Sequence, residues 1–84
     1  MQNIQCSQSS TFTMNTDIKQ KLSARIKDLR IKQGYSQEEL AGKCDLHRTY
    51  ISDIERGERN VSIENVERIS NALDIDPSEL LKFQ

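Results

Sequence analysis

The side chains of this sequence that could do chemistry are concentrated in one short string, RTYISDIERGERN, which runs from Arg48 to Asn60. An arginine, two hydroxyl residues, a tyrosine and an aspartate stand close together there, so hydrogen-bonding groups of several kinds are neighbours. Only Ile51 and Ile54 give the string an apolar seam. A purely structural surface helix would be expected to carry more Glu, Lys and Ala, which leaves catalysis or recognition of another molecule.

A catalytic site would have to use His47, Ser52 and Asp53, the residue types of a hydrolytic triad. A triad needs a chain of hydrogen bonds aimed at one substrate atom, yet on a helix His47 projects to a different side from the other two. His47 is also the only histidine, and the three scattered glycines form no phosphate loop. We therefore predict that the protein is not an enzyme and has no catalytic residues, metal site or cofactor.

The same helix suits the major groove of double-stranded DNA, which admits an α-helix. Arg48 can give two donors to guanine, and Thr49 can reach a base edge or a thymine methyl group. Asp53 can accept from a cytosine amino group, whereas Ser52 donates or accepts and so discriminates less. We predict base contacts for Arg48, Thr49, Ser52 and Asp53.

A second set of residues is placed for the sugar–phosphate backbone. Ser36 and Gln37 begin a helix whose free N–H groups and positive end suit a phosphate. Tyr50 flanks the first turn of the helix that carries Arg48, here called the reading helix, and its hydroxyl can contact a phosphate. Arg59 and Asn60 follow the end of that helix. A structural interpretation stays open for some of them, since Ser36 is a helix cap in any case and Arg59 can be simply solvated.

Several short helices must position these groups, because apolar residues recur every three to four positions and no alternating run occurs. A capping box, Ser36 followed by Glu39, opens the second helix. The third runs from about His47 to Arg56 and begins only a few residues after the second ends, as in a helix-turn-helix unit. The first helix carries the apolar stripe Ile18, Leu22, Ile26 and Leu29.

Two more helices complete an all-α fold. Ser62 is placed to cap the fourth, and Asp76 with Pro77 begins a short fifth. We predict one DNA-binding and dimerisation domain over residues 16–84. Residues 1–15 are expected to be a flexible tail, because they lack charge and periodicity and are rich in Ser, Thr, Gln and Asn.

The composition fits a small globular domain. Of the 84 residues, 30% are charged and 35% hydrophobic, and no apolar run approaches the roughly 18 residues of a membrane span. The two cysteines, Cys6 and Cys44, are too few for the disulfide framework of a small secreted protein. We therefore expect a cytoplasmic location and no membrane contact.

The net charge of −1 argues against nucleic acid, but the charge distribution does not. Residues 18–34 carry six basic side chains and one acidic, whereas residues 61–84 carry two basic and five acidic. One end of the fold can therefore face a polyanion while the other faces away. Solvated helix faces would give the same counts, so charge alone leaves both interpretations open.

The stretch from about Gln20 to Leu81 resembles the helix-turn-helix family of phage repressors and Cro-like regulators, often called the XRE family. The matching motifs are R-x-x-x-G-Y-S-Q-E-E-L-A from Arg30, L-H-R-T-Y-I-S-D-I-E-R-G-E-R-N, and A-L-D-I from Ala72. More narrowly, H-R-T-Y-I-S-x-I-E-R-G-x-R-N is similar to the controller proteins of restriction–modification systems. The resemblance implies a five-helix, lambda-repressor-like domain. It also implies a homodimer that times expression of the endonuclease at paired operators by activation, repression or both.

The resemblance implies residue roles as well. Gln37 matches a phosphate-contacting glutamine, and Arg59 matches a DNA-contacting arginine after the reading helix. Arg30 and Glu55 match a structural ion pair that links the first helix to the third. Asp53 departs from the pattern, because an acid is unfavourable beside phosphates unless it faces a base. The base-reading positions are Arg48, Thr49 and Ser52.

Two further expectations concern partners. Glu38 and Glu39 are placed for a contact with RNA polymerase. A structural interpretation explains them better, in which Glu39 caps the second helix and Glu38 is solvated. The last two helices offer more apolar surface than one small core needs, which favours a homodimer and two such dimers on paired sites. Core packing could, however, use most of this apolar surface. The predicted dimer residues are Val66, Ile69, Leu73, Ile75, Leu80, Leu81 and Phe83.

Two other functions compete with this one. A protein-interaction module such as an antitoxin would use the same helical scaffold, with the N-terminal segment as the spare element that holds a partner. An RNA-binding role is disfavoured, because only Tyr35 and Tyr50 could stack on bases.

Overall fold

The computed structural model describes the backbone of residues 10–83 and the side chains of residues 18–83. This part of the chain forms five α-helices and no strand, which confirms the predicted all-α class. None of these helices is both long enough and apolar enough to span a membrane. The helices are α1 Ser10–Lys32, α2 Gln37–Cys44, α3 Arg48–Glu55, α4 Ile63–Ala72 and α5 Pro77–Leu80.

Helix α1 begins at Ser10, before the domain start expected at residue 16. No Gly or Pro interrupts residues 10–32, so no strong helix breaker separates residues 10–15 from the rest of α1. The helix therefore takes up part of the segment expected to be a tail. The remainder of that prediction falls on residues 1–9, which lie outside the described residues.

Side-chain caps set the starts of the inner helices. The Ser36 hydroxyl accepts from the N–H of Glu39 at 3.0 Å, and the Glu39 carboxylate accepts from the N–H of Ser36 at 2.8 Å, which is the predicted capping box. Ser62 caps α4 by accepting from the N–H of Asn65 at 3.1 Å. Helix α3 has an unexpected cap, because Nδ1 of His47 accepts from the N–H of Thr49 at 3.3 Å. His47 therefore has a structural role in the free protein.

The core lies where α2, α3 and α4 pack together and against α1 and α5. Ile51 and Ile54, the two apolar residues of α3, have no exposed surface. Burial of each such side chain contributes about 1.5–3 kcal/mol, so two isoleucines are enough to dock this helix. Cys44 is part of the same core, and burial raises the pKa of its thiol to about 11. Fully buried partners from other elements are Ile26, Leu40, Ile69, Leu73 and Leu80.

The dimer prediction is wrong for four of its residues. Val66, Ile69, Leu73 and Leu80 are at most 4% exposed within a single chain. Helix α4 packs against α2 and α5, and that packing uses these side chains, so they have no surface to offer a partner. Leu81 is exposed, and Ile75 and Phe83 are half-buried.

Candidate nucleic-acid interface

Helices α2 and α3 form the predicted helix-turn-helix, with three residues between Cys44 and Arg48. Asp45 ends α2 in the left-handed conformation, with φ of 58°. The next N–H, that of Leu46, donates to the carbonyl of Ala41 at 2.9 Å, and the Leu46 side chain packs against the core. The turn is therefore held by both its backbone and its central side chain.

Helix α3 presents its polar side away from the core. Arg48 and Thr49, its first two residues, are exposed, at the end of the helix where helix-turn-helix proteins contact bases. Ser52 lies one turn after Arg48 and Asp53 one turn after Thr49, and both are half-buried. The structure therefore brings the four predicted base-contacting residues onto one side of one helix.

The orientation of α3 depends on an ion pair with α1. Arg30 donates from Nε to Oε2 of Glu55 at 2.6 Å and from Nη2 to Oε1 at 2.9 Å. Its Nη1 donates to the carbonyl of Tyr35 at 2.8 Å, so the same guanidinium also holds the loop before α2. The hydrogen bonds to Glu55 raise the pKa of Arg30, against the opposing effect of burial. The ion pair implied by the family resemblance is present in the structure.

Gln37 is bound to the same carboxylate. Its Nε2 donates to Oε1 of Glu55 at 3.0 Å, and its side chain is half-buried. An amide nitrogen carries two hydrogens, so one donor of this group remains for a second acceptor such as a phosphate. Ser36, the cap before it, is exposed.

Asp53, on the exposed side of the reading helix, is paired with two arginines. Oδ1 of Asp53 binds Arg56, and Oδ2 binds Nη2 of Arg59 at 3.2 Å. The Ser52 hydroxyl accepts from Nη1 of Arg56 at 2.6 Å. Two of the four predicted base contacts, Ser52 and Asp53, are therefore occupied by arginines in the free protein. Sequence reasoning left Arg56 without a role, although its spacing of four and three residues from these partners was the available signal.

Tyr50 connects this region to α4. Its hydroxyl accepts from Nδ2 of Asn65 at 2.8 Å, and the guanidinium of Arg59 lies 5.1 Å from the centre of its ring. Asn65 was missed from the sequence, because no local pattern relates residues 15 positions apart. Tyr50 and Arg59, both predicted to contact the DNA backbone, are thus neighbours, and Asn60 beside them is exposed.

The basic stretch of residues 18–34 is only partly available to a polyanion. Arg25 donates twice to the carbonyl of Glu79, at 3.1 and 2.9 Å, and so docks α5 on α1. Arg30 is used by Glu55. Of the lysines that remain, Lys21, Lys27 and Lys32 are exposed and Lys19 is half-buried. The charge count from the sequence therefore overstated the positive surface, because two arginines hold the fold together.

An apolar groove of about 560 Å³ lies where the side chains of α1 and α4 meet the C-terminal residues of the described chain. Ile63 is 75% exposed, Ile18 57% and Leu81 42%. Leu81 and Phe83 were predicted as partner-binding residues and Ile18 only as part of the helical stripe of α1, whereas Ile63 was assigned to no site. Among the described residues, the groove gathers three of the four large exposed apolar side chains, and the fourth, Ile31, lies elsewhere on α1.

Comparison with known proteins places this geometry in a family context. A model described as helix-turn-helix matches residues 26–80. The control protein C.BamHI of Bacillus amyloliquefaciens is 52% identical over 71 residues, 83% of this chain and 88% of that protein. The control protein C.MunI of a Mycoplasma species is 51% identical over 65 residues, 76% of this chain and 88% of that protein. The crystal structure of the restriction–modification controller protein C.AhdI from Aeromonas hydrophila is similar with a TM-score of 0.73 and 45% identity, over 74% of this chain and 94% of that one.

Proposed function

Since this chain belongs to the helix-turn-helix family that includes the control proteins C.BamHI and C.MunI, we propose that it is a restriction–modification controller protein. Membership makes it a DNA-binding transcriptional regulator and not an enzyme. The finer proposal is that it times expression of restriction–modification genes by activation, repression or both at paired operators. The observation that carries it is the exposed N-terminal end of α3, where Arg48 and Thr49 stand on a helix fixed by the Arg30–Glu55 ion pair.

The contacts with DNA divide into two sets. Arg48 and Thr49 reach base edges in the major groove, because they are exposed at the first turn of the reading helix. Gln37 uses its second amide hydrogen on a phosphate. The remaining backbone contacts come from Ser36, Tyr50, Arg59 and Asn60.

A second copy of this chain is the proposed partner in the apolar groove. Ile18, Ile63 and Leu81 expose apolar side chains that would form the centre of a homodimer contact. A two-fold dimer would set two α3 helices about 34–36 Å apart, in successive major grooves of a pseudo-palindromic operator. Joining two half-sites multiplies a weak half-site affinity, and two such dimers would fill paired operators.

Other partners follow from the same role. Glu39 uses its carboxylate in the capping box, which leaves the exposed Glu38 as the candidate for contact with RNA polymerase. The proposed location is the cytoplasm, together with the restriction–modification genes that the protein would regulate. The alternative function, an antitoxin or other protein-interaction module, is not favoured, because the relatives covered over most of their length are control proteins.

The test is selection of bound duplexes from a random pool, followed by affinity measurement over a range of salt concentrations. We expect enrichment of a pseudo-palindromic sequence. We also expect a loss of affinity of about 10³-fold or more between 50 and 200 mM salt, because phosphate contacts release counterions. A flat salt response, or no enrichment, would contradict the proposed function.

A further inference from the structure

Asp53, Arg56 and Arg59 form a cluster, here called the Asp53 cluster, on and just beyond the reading helix. Both carboxylate oxygens of Asp53 are used, one by each arginine. We propose that Asp53 determines specificity by holding these two arginines away from the phosphates of non-operator DNA. This inference rests on the proposed function and assigns Asp53 a role beyond the base contact predicted from the sequence.

The burial of the three side chains shows how the cluster is arranged. The Asp53 side chain is 19% exposed, whereas those of Arg56 and Arg59 are 52% and 50% exposed. The carboxylate therefore lies beneath two guanidinium groups whose other edges face solvent. Arg59 is held further by the ring of Tyr50, and Arg56 by the hydroxyl of Ser52.

Charge balance explains why this arrangement weakens binding to DNA of arbitrary sequence. Nε of Arg56 also donates to Glu58 at 3.2 Å, so two arginines are matched by two carboxylates. An arginine already paired with a carboxylate contributes less attraction to a polyanion than a free one. A phosphate must compete with Asp53 for Arg56 or Arg59 before it gains a contact.

Discrimination arises because the cost to Asp53 depends on the base pairs it meets. When one arginine moves to a phosphate, the oxygen of Asp53 that it bound loses its donor, which is unfavourable for a poorly solvated carboxylate. The amino groups of cytosine and adenine are the base-edge donors of the major groove, and one of them can replace the lost arginine. At sequences without such a donor opposite Asp53, that oxygen stays unpaired and the complex is weaker.

The experiment compares Asp53→Ala with Glu58→Ala. Each substitution removes one negative charge, but Glu58→Ala breaks only the ion pair between Glu58 and Arg56 and leaves Asp53 in place. Each is measured on a duplex enriched from a random pool by the wild-type chain and on a scrambled duplex of the same composition. For Asp53→Ala we expect affinity for the scrambled duplex to rise about threefold or more. The salt slope should steepen by about 1–2, and the ratio of enriched to scrambled affinity should fall. Glu58→Ala should leave that ratio close to wild type.

Selection repeated with Asp53→Ala should also lose the preference for an amino-bearing base at one position of each half-site. If Asp53→Ala and Glu58→Ala strengthen binding to both duplexes equally, only net charge matters and the inference is wrong. Asp53→Asn, which keeps the side-chain volume and removes the charge, gives the same test of scrambled-duplex affinity and salt slope if Asp53→Ala does not fold. Failure of the wild-type chain to bind any duplex would instead overturn the proposed function, so the two failures are distinguishable.

Discussion

Arg30 on α1 binds both carboxylate oxygens of Glu55 on α3, and the two side chains are only 11% and 3% exposed. This contact joins residues 25 positions apart and ties the end of the reading helix to α1. Gln37 donates to the same carboxylate. The orientation of α3 thus depends on one buried acid as well as on Ile51 and Ile54.

We expect Glu55→Ala to lower the free energy of unfolding by about 3–5 kcal/mol. The loss is large because Arg30 and Gln37 both keep their buried donors and lose their acceptor. Urea denaturation followed by circular dichroism measures it. Glu58→Ala, an acid on the surface, is the control and should change stability by less than about 0.5 kcal/mol; equal effects of the two variants would show that the pair does not hold α3.

Arg48→Ala should weaken binding to the enriched duplex by roughly 1–3 kcal/mol and relax the preference at one base pair of each half-site. The reason is that a truncated side chain can no longer give two donors to a guanine. Fluorescence anisotropy on enriched and scrambled duplexes measures the change. An equal loss on both would mean that Arg48 holds only the backbone.

Gln37→Ala should show the opposite pattern, because a phosphate contact carries no sequence information. We expect binding to the enriched and scrambled duplexes to weaken by about the same factor. A small loss of stability should accompany it, since the hydrogen bond to Glu55 is removed. A loss confined to the enriched duplex would contradict the phosphate role.

Ile63→Glu should convert the proposed dimer to monomer, because the change puts a charge into an apolar contact. Ile63 is 75% exposed in the single chain, so the substitution should leave the fold intact. Ile31→Glu is the matched control: Ile31 is 56% exposed on α1 and does not line the groove. Sedimentation equilibrium should find Ile31→Glu dimeric. If both variants associate like the wild type, the groove is not the dimer contact.

The capping box of α2 should make part of the stability depend on pH. The hydrogen bond from the backbone N–H of Ser36 lowers the pKa of Glu39 below its ordinary value of 4.5. A carboxylate with a lowered folded-state pKa stabilises the fold above that ordinary value, and the contribution is lost as the pH falls through the folded-state pKa.

We therefore expect the stability difference between the wild type and Glu39→Gln to be largest near neutral pH and to shrink on acidification below about pH 4.5. Urea denaturation at a series of pH values measures this difference. Glu38→Gln, at the exposed neighbouring position, is the charge-matched control. A difference that stays constant from neutral to acidic pH would show that the Glu39 charge does not contribute.

The all-α class, the capping box and the two-isoleucine seam of α3 were predictable from the sequence. The predicted third helix, from about His47 to Arg56, agrees with Arg48–Glu55 within the usual uncertainty of helix ends. These features follow from local signals, because caps, breakers and helical periodicity act between residues a few positions apart. The motifs that identify the family are also continuous strings, so they need no tertiary information.

Tertiary structure alone decided which apolar residues are core and which are surface. Ile63 and Ile69 belong to the same periodic pattern of α4, yet Ile63 is 75% exposed and Ile69 has no exposed surface. Periodicity marks an apolar side of a helix but not how far the neighbouring helices cover it. The pairing of Tyr50 with Asn65 was decided in the same way. Asp53 was interpreted from the sequence as an acid facing DNA. Its pairing with Arg56 is local, but its pairing with Arg59 depends on the path of the chain beyond Gly57, which brings Arg59 back beside α3.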